Sequence, residues 1–254
     1  MTSSSVRSTS RLALTAALVL GMSLAQAGGF AEDFDSGLDG WSSAGDVSVM
    51  ELSGYRFAAL GTASLDGADD APYPAGALNF SGKPLAAANL DGGLEAAAGL
   101  AFGALNLDAT RLATEGSVLK RSFQVQAGQT LSFDWLLATN DQGPDFGLDL
   151  AFVVVDGQLI GLARASQAGG NDVPPFQRDT GIRQFEYRFQ RSGEIGVAFG
   201  VADVGDTLAS SMLAIDNVSI SPVPESQASV LLLAGLAGLL GWARRRTSVG
   251  VRKC

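Results

Sequence analysis

Ser122-Phe123-Gln124-Val125-Gln126-Ala127, followed by Gly128-Gln129 and then Leu131-Ser132-Phe133-Asp134-Trp135-Leu136-Leu137, is the clearest strand signal in the chain. Apolar residues take every second position on both sides of the glycine, a period of two that puts one face of an extended strand in a core and the other in water. The pattern recurs downstream. Ala151 to Val155 is a β-branched run ended by the turn pair Asp156-Gly157, with Gln158 to Leu162 returning as its hairpin partner. Phe185, Tyr187 and Phe189 alternate with Glu186, Arg188 and Gln190, Ser192-Gly193 turns the chain, and Ile195, Val197, Phe199 and Val201 alternate again. Leu213 to Ile220 closes the set. Short strands at regular intervals predict an all-β antiparallel sandwich in which each sheet has one dry and one wet face. The Ala-, Leu- and Gly-rich stretch Leu85 to Thr114 reads as a long connection packed on the sandwich, with a turn or two of helix at Leu94 to Ala98. Trp135, in phase with Leu131 and Phe133, belongs to the core, whereas Trp41 fits either core or surface.

The two ends read as addresses. Arg7 and Arg11 precede the apolar run Leu12 to Leu24, and Ala25-Gln26-Ala27 offers a small-x-small cleavage site before Gly28, so 1–27 is expected to be a secretory signal peptide. The competing reading is an uncleaved anchor, for which the run is short. At the other end Val223-Pro224-Glu225-Ser226 leads into the uncharged stretch Ala228 to Ala243 and then Arg244-Arg245-Arg246. A helix over 226–243 approaches the shortest length that crosses a bilayer, and the arginines belong on the cytoplasmic side. The body is therefore expected outside, with 222–254 as a sorting segment; a plain C-terminal anchor is the simpler alternative.

Between those ends lies one domain's length of chain, 28–221. All 26 acidic residues fall between 28 and 225 with ten of the 17 Lys and Arg, a net charge of −16. Such a field repels nucleic acid and favours solubility or the capture of cations. The only cysteine is Cys254, so no internal disulfide exists, and there is no histidine. Ser-His-Asp catalysis, Cys-His catalysis and the usual zinc sites are thereby excluded.

Carboxylates are the remaining candidates for chemistry. Thr139 to Asp149 carries Asp141, Asp145 and Asp149 around a Gly-Pro break after a strand, a candidate ligand loop or a solvated turn. Asp66, Asp69 and Asp70 precede Pro72-Tyr73-Pro74, an acidic loop with an aromatic tip that reads as solvated. A glycosidase needs two carboxylates at a set separation, and 26 acids nominate no pair. No nucleophile elbow or phosphate-cradling loop is present. The chain reads as a binding or structural protein, not an enzyme; a glycan-active enzyme is the least favoured alternative.

Two resemblances follow from these residues. The Pro-Glu turn, short helix and Arg cluster resemble the PEP-CTERM sorting signal, with Ser226 where that family usually has proline. The resemblance implies signal peptidase and an exosortase as partners, with Val223, Pro224, Glu225 and Arg244 to Arg246 as the sorting residues. It also implies an inner-membrane intermediate, then the cell surface or the extracellular exopolysaccharide and biofilm matrix. Leu131 to Trp135, Thr139-Asn140-Asp141, Asp203 to Thr207 and Ala214 to Val218 are similar as a group to the jelly-roll-like bodies of many such proteins. Ala31 to Asp35 with Gly40-Trp41, and Ile215 to Val218, are similar to the ends of carbohydrate-binding jelly rolls, where first- and last-strand acids hold a structural calcium. That likeness implies Glu32 or Asp33 with Asp216, supported by Asp35, as calcium ligands, and a carbohydrate-binding module as the alternative function.

Overall fold

The computed structural model describes residues 29–142, 147–170 and 173–222. The expected signal peptide with Ala25, Ala27 and Gly28, the sorting residues from Val223 onward, and Asp145 all lie outside the described residues. Among the described residues no helix is long and apolar enough to cross a membrane.

The chain runs β1 (Phe30–Glu32), β2 (Ser42–Ala44), β3 (Asp46–Leu52), β4 (Tyr55–Gly61), β5 (Ala86–Ala87), α1 (Leu94–Ala98) and β6 (Ala113–Val125). It continues through β7 (Thr130–Thr139), β8 (Leu150–Val155), β9 (Gln158–Arg164), β10 (Arg178–Asp179), β11 (Arg183–Arg188), β12 (Gly193–Val204) and β13 (Ser211–Ser221). These form two antiparallel sheets. One has the order β10-β7-β13-β4-β3, with β1 also on β13 and β11 on β7; the other has the order β2-β6-β12-β8-β9, with β5 on β6. The expected all-β antiparallel sandwich is therefore formed, and Asp156-Gly157 turns β8 into β9 as a hairpin, both residues at positive φ.

The glycine at 128, at φ 93°, does something else: β6 and β7 on its two sides lie in opposite sheets, as do β11 and β12. Their alternating residues meet face to face. Leu119, Phe123, Val153, Val197 and Phe199 from one sheet pack against Leu131, Phe133, Trp135, Leu213 and Ile215 from the other.

The expectation of one wet face per sheet needs correction. All six residues of β8 are buried, because the 85–114 connection, with the expected helix at Leu94–Ala98, covers the six-stranded sheet from outside. Leu94, Ala98 and Leu105 there pack on Phe152, Val154, Ala198 and Ala202. The outer face of the seven-stranded sheet is covered in part, where Leu78 and Phe176 close over Ala59, Ala138 and Met212. What remains open on that face is a groove.

Candidate functional site

The groove has a volume of about 450 Å³. Its floor is made by residues out of phase with the inner face, Met50, Phe57, Leu136, Met212 and Ala214. Its walls come from the β3–β4 turn, where Tyr55 is 74% exposed and Leu52 is also exposed, and from Pro174, Pro175 and Ile182 opposite. The Ser53-Gly54 turn holds Tyr55 out in solvent, both turn residues having positive φ.

The polar end of the groove is acidic. Asp134 of β7 and Asp216 of β13 stand directly opposite each other across the strand pair, and Glu51 also lines the groove. Like charges in that relation are destabilising. A bulge sets the arrangement: the register shifts between Asp216 and Ser219, so Val218 and Ile220 return to the core while Asn217, at φ 52°, stays exposed. The Asn217 backbone N–H donates to Asp216 Oδ1 at 2.7 Å, and its side-chain amide donates to Asp134 Oδ2 at 2.9 Å. Partial burial raises the Asp216 carboxyl above the ordinary range; the Asn217 N–H lowers it, and the charges of Asp134, Asp33 and Asp35 raise it further.

Of the residues that the resemblance nominates for calcium, Asp33, Asp35 and Asp216 thus share one electrostatic neighbourhood. Glu32 does not fit. Its Oε1 accepts from the Phe34 backbone N–H at 3.1 Å, its Oε2 from the Trp41 indole N–H at 3.4 Å, and Arg121 lies 3.6 Å away. The same guanidinium rests over Phe30, Trp41 and Phe123, and Trp41 packs against Phe34 and Phe199. Trp41 is therefore a half-buried core residue, and Glu32 orients Arg121 and the indole. The other three carboxylates offer the hard oxygen donors calcium takes. Among the described residues, however, no group of three or more acidic side chains is placed to hold a metal.

The 139–149 loop turns its described acids inward. Asp141 is buried and accepts from the backbone N–H of Leu148 at 3.0 Å, closing the loop on itself. Asp149 is 3% exposed and accepts from Ser211 Oγ at 2.6 Å. Asp203, its neighbour in titration, is 2% exposed, and its Oδ2 has no partner among the described residues. Burial drives both upward, Asp149 to about 7 and Asp203 well above the ordinary value; the Asp149 charge raises Asp203 further, whereas Asp203 and Ser211 lower Asp149 and the Asp141 charge raises it. Glu115 and Asp69 also face Asp203. The acidic 66–70 loop, read as solvated, is half folded in: Asp70 is fully buried, accepting from the Leu78 N–H at 3.2 Å and from Ser210 Oγ at 3.0 Å, while Asp66 stays exposed.

Trp135 is 5% exposed, as its phase predicted, and Arg183 rests over its ring at 5.6 Å. The groove aromatics Tyr55 and Phe57 are missing from the sequence reading. Ser53-Gly54 between Val47-Ser48-Val49-Met50 and Tyr55-Arg56-Phe57 is a hairpin signal that would have found them.

No family model matches the chain, and no curated protein matches it. Solved structures with a similar chain path include the K3 cleaved adhesin domain of Lys-gingipain from Porphyromonas gingivalis, at 13% identity and a TM-score of 0.39 over 76% of this chain and 97% of that one. TmCBM61 in complex with β-1,4-galactotriose is similar at 11% identity and a TM-score of 0.36, over 75% of this chain and 94% of that one. The CBM22-1 xylan-binding domain of Paenibacillus barcinonensis Xyn10C is similar at 9% identity and 0.36, over 79% and 98%. At these TM-scores the likeness assigns no ligand to this chain.

Proposed function

We propose that this chain is an exported protein, carried by its signal peptide and a PEP-CTERM type tail, whose jelly-roll-like body is a binding component of an exopolysaccharide matrix. The observation that carries the binding part is the groove. Its volume, about 450 Å³, lies in the range of small-ligand sites, and its apolar floor with a few polar groups at one end is the make-up of such sites. An exposed Tyr55 gives a flat apolar face for a sugar ring, and Glu51, Asp134, Asp216 and Asn217 give hydrogen-bonding groups for hydroxyls. The export part rests on residues Arg7 to Ala27 and Val223 to Arg246.

The test uses the full chain in mild detergent and polysaccharide purified from the native host. Binding measured by calorimetry is expected, with at least a tenfold loss in Tyr55→Ala at unchanged melting temperature, and a loss in Phe57→Ala together with a fall in melting temperature, because that ring packs on the floor cluster. Equal binding by wild type and both variants would remove the groove from the reading. Chromatography of the polysaccharide after incubation is expected to show unchanged chain length, and shortening would mean an enzyme. Calcium is no part of this proposal, because Asp33, Asp35 and Asp216 are not placed together to hold a metal. A ligand held only by the folded state raises the melting temperature, so calcium against chelator is the comparison, and an unchanged midpoint is expected.

A further inference from the structure

The charge of the groove narrows the ligand beyond the reading above, on which this inference rests. All three charged residues lining it are acidic, Glu51, Asp134 and Asp216, and no Lys or Arg is among its described lining residues. Two arginines border the groove without pairing with its acids, fewer than the five carboxylates Glu51, Asp134, Asp216, Asp33 and Asp35 around it. Arg183 lies over the Trp135 ring, and Arg56 donates to the backbone carbonyl of Asp35. The three ion pairs among the described residues, Arg111–Asp108, Arg121–Glu32 and Arg191–Asp156, involve none of the groove acids.

Asp134 and Asp216 face each other across adjacent strands with only Asn217 donating to both, and Asp33 and Asp35 add to the same field. A side-chain amide and a backbone N–H orient those carboxylates but carry no positive charge. Opposite this negative end lies a floor of Phe57, Met50 and Met212 and the exposed ring of Tyr55. A bare metal ion would satisfy the carboxylates and gain nothing from the floor, since it wants six to eight oxygens. A uronic-acid chain would be repelled. An organic cation with apolar ring faces satisfies both halves.

We infer that the groove binds a polysaccharide segment bearing protonated amines, an amino-sugar chain whose ammonium groups sit between Asp134 and Asp216 while a ring lies on Tyr55. The groove volume admits a short stretch of sugar chain and not a folded partner.

The experiment compares the β-1,4-linked glucosamine hexamer with its fully N-acetylated counterpart, the same backbone without charge, on the full chain in mild detergent at pH 6 by calorimetry. The glucosamine hexamer is expected to bind at least tenfold more tightly, and raising salt from 50 to 500 mM is expected to erase most of that preference, as screening of exposed charges requires. Asp134→Asn with Asp216→Asn is expected to remove the preference and keep the weaker binding of the neutral hexamer. Glu194→Gln, an exposed site on the other sheet, is expected to leave both unchanged. Equal binding of the two hexamers, both lost in Tyr55→Ala, overturns the charge assignment and leaves the groove reading standing. Binding of either hexamer that ignores Tyr55→Ala and the double variant overturns the groove itself. A hexalysine peptide that binds as tightly as the glucosamine hexamer, with the same dependence on Asp134 and Asp216, overturns the sugar in favour of a basic peptide.

Discussion

Asp149 and Asp203 are both buried in the sandwich with their ionisation linked, Ser211 donating to Asp149 and no cation paired with either among the described residues. Burial makes both costly to ionise and the Asp149 charge opposes that of Asp203, so the pair keeps a proton at a pH where a free carboxylate has lost its own.

Stability should therefore fall with rising pH. The folded pair, with Asp149 raised to about 7, holds protons that the unfolded chain releases near pH ~3.9. The stabilisation is complete below that unfolded value and is lost as pH climbs through about 7. Asp46, Glu115 and Asp141, also raised mainly by burial, act in the same direction. Asp108 and Asp156, exposed and held low by Arg111 and Arg191, have the opposite sign, which matters only in more acidic solution. Thermal melts from pH 4.5 to 8 should show a midpoint declining throughout, with a shallower decline in Asp203→Asn. A midpoint that climbs toward pH 8 would contradict the retained proton.

Ser117 ties the sheets at a point where neither has side chains to spare. Its Oγ donates to the Gly61 carbonyl at 2.6 Å and accepts from the Asp46 N–H at 2.8 Å, while the Asp46 carboxylate takes the N–H groups of Phe80 and Ser81. Ser117→Ala strands two buried backbone groups, a cost of about 1–3 kcal/mol. Urea denaturation should show that loss, and a change of a few tenths would mean that water replaces the hydroxyl.

Gly116 and Gly196 both lie in the β6–β12 ladder, and they should answer differently to alanine. A Cβ at Gly116 would stand 2.1 Å from the Val201 carbonyl oxygen, a backbone atom fixed by pairing, whereas at Gly196 the nearest neighbour is the flexible end of Lys120 at 3.8 Å. Gly116→Ala is expected to destabilise by about 1–3 kcal/mol, as overpacking does, and Gly196→Ala by much less. Equal losses would show that the strands can part at Gly116 without cost.

The proposed export would leave termini that mass spectrometry can read. Protein from envelope and medium fractions of the native host is expected to begin at Gly28 and to end near Glu225. Chains that retain Arg244 to Cys254 would instead support a simple anchor.

The strands were legible wherever one face meets the core and the other meets water, as in Phe123-Gln124-Val125 and Leu131 to Leu137. β8 was legible by its β-branched residues and its Asp156-Gly157 turn, but its two-sided burial was not, since that depends on the 85–114 segment lying across it. The same limit governs the acids. Asp70 and Asp141 look like loop residues in sequence because nothing local reveals that Leu78, Ser210 or Leu148 will donate to them. Glu32 was nominated by likeness to other first strands, and Arg121, some ninety residues away, claims it instead. The groove escaped because its two walls, Leu52 to Tyr55 and Val173 to Ile182, meet only in three dimensions.

The last strand among the described residues is not at an edge. β13 is paired on one side by β7 along its length and on the other by β4 and then β1, with Phe30 opposite Ile220 and Gly29 against Pro222. A pull applied at Pro222 along this strand meets β7 and β1 together, so their hydrogen bonds are loaded in parallel as shear and are not peeled open one after another. A domain tethered through that residue would resist drag in flowing liquid far better than one hung from an edge strand.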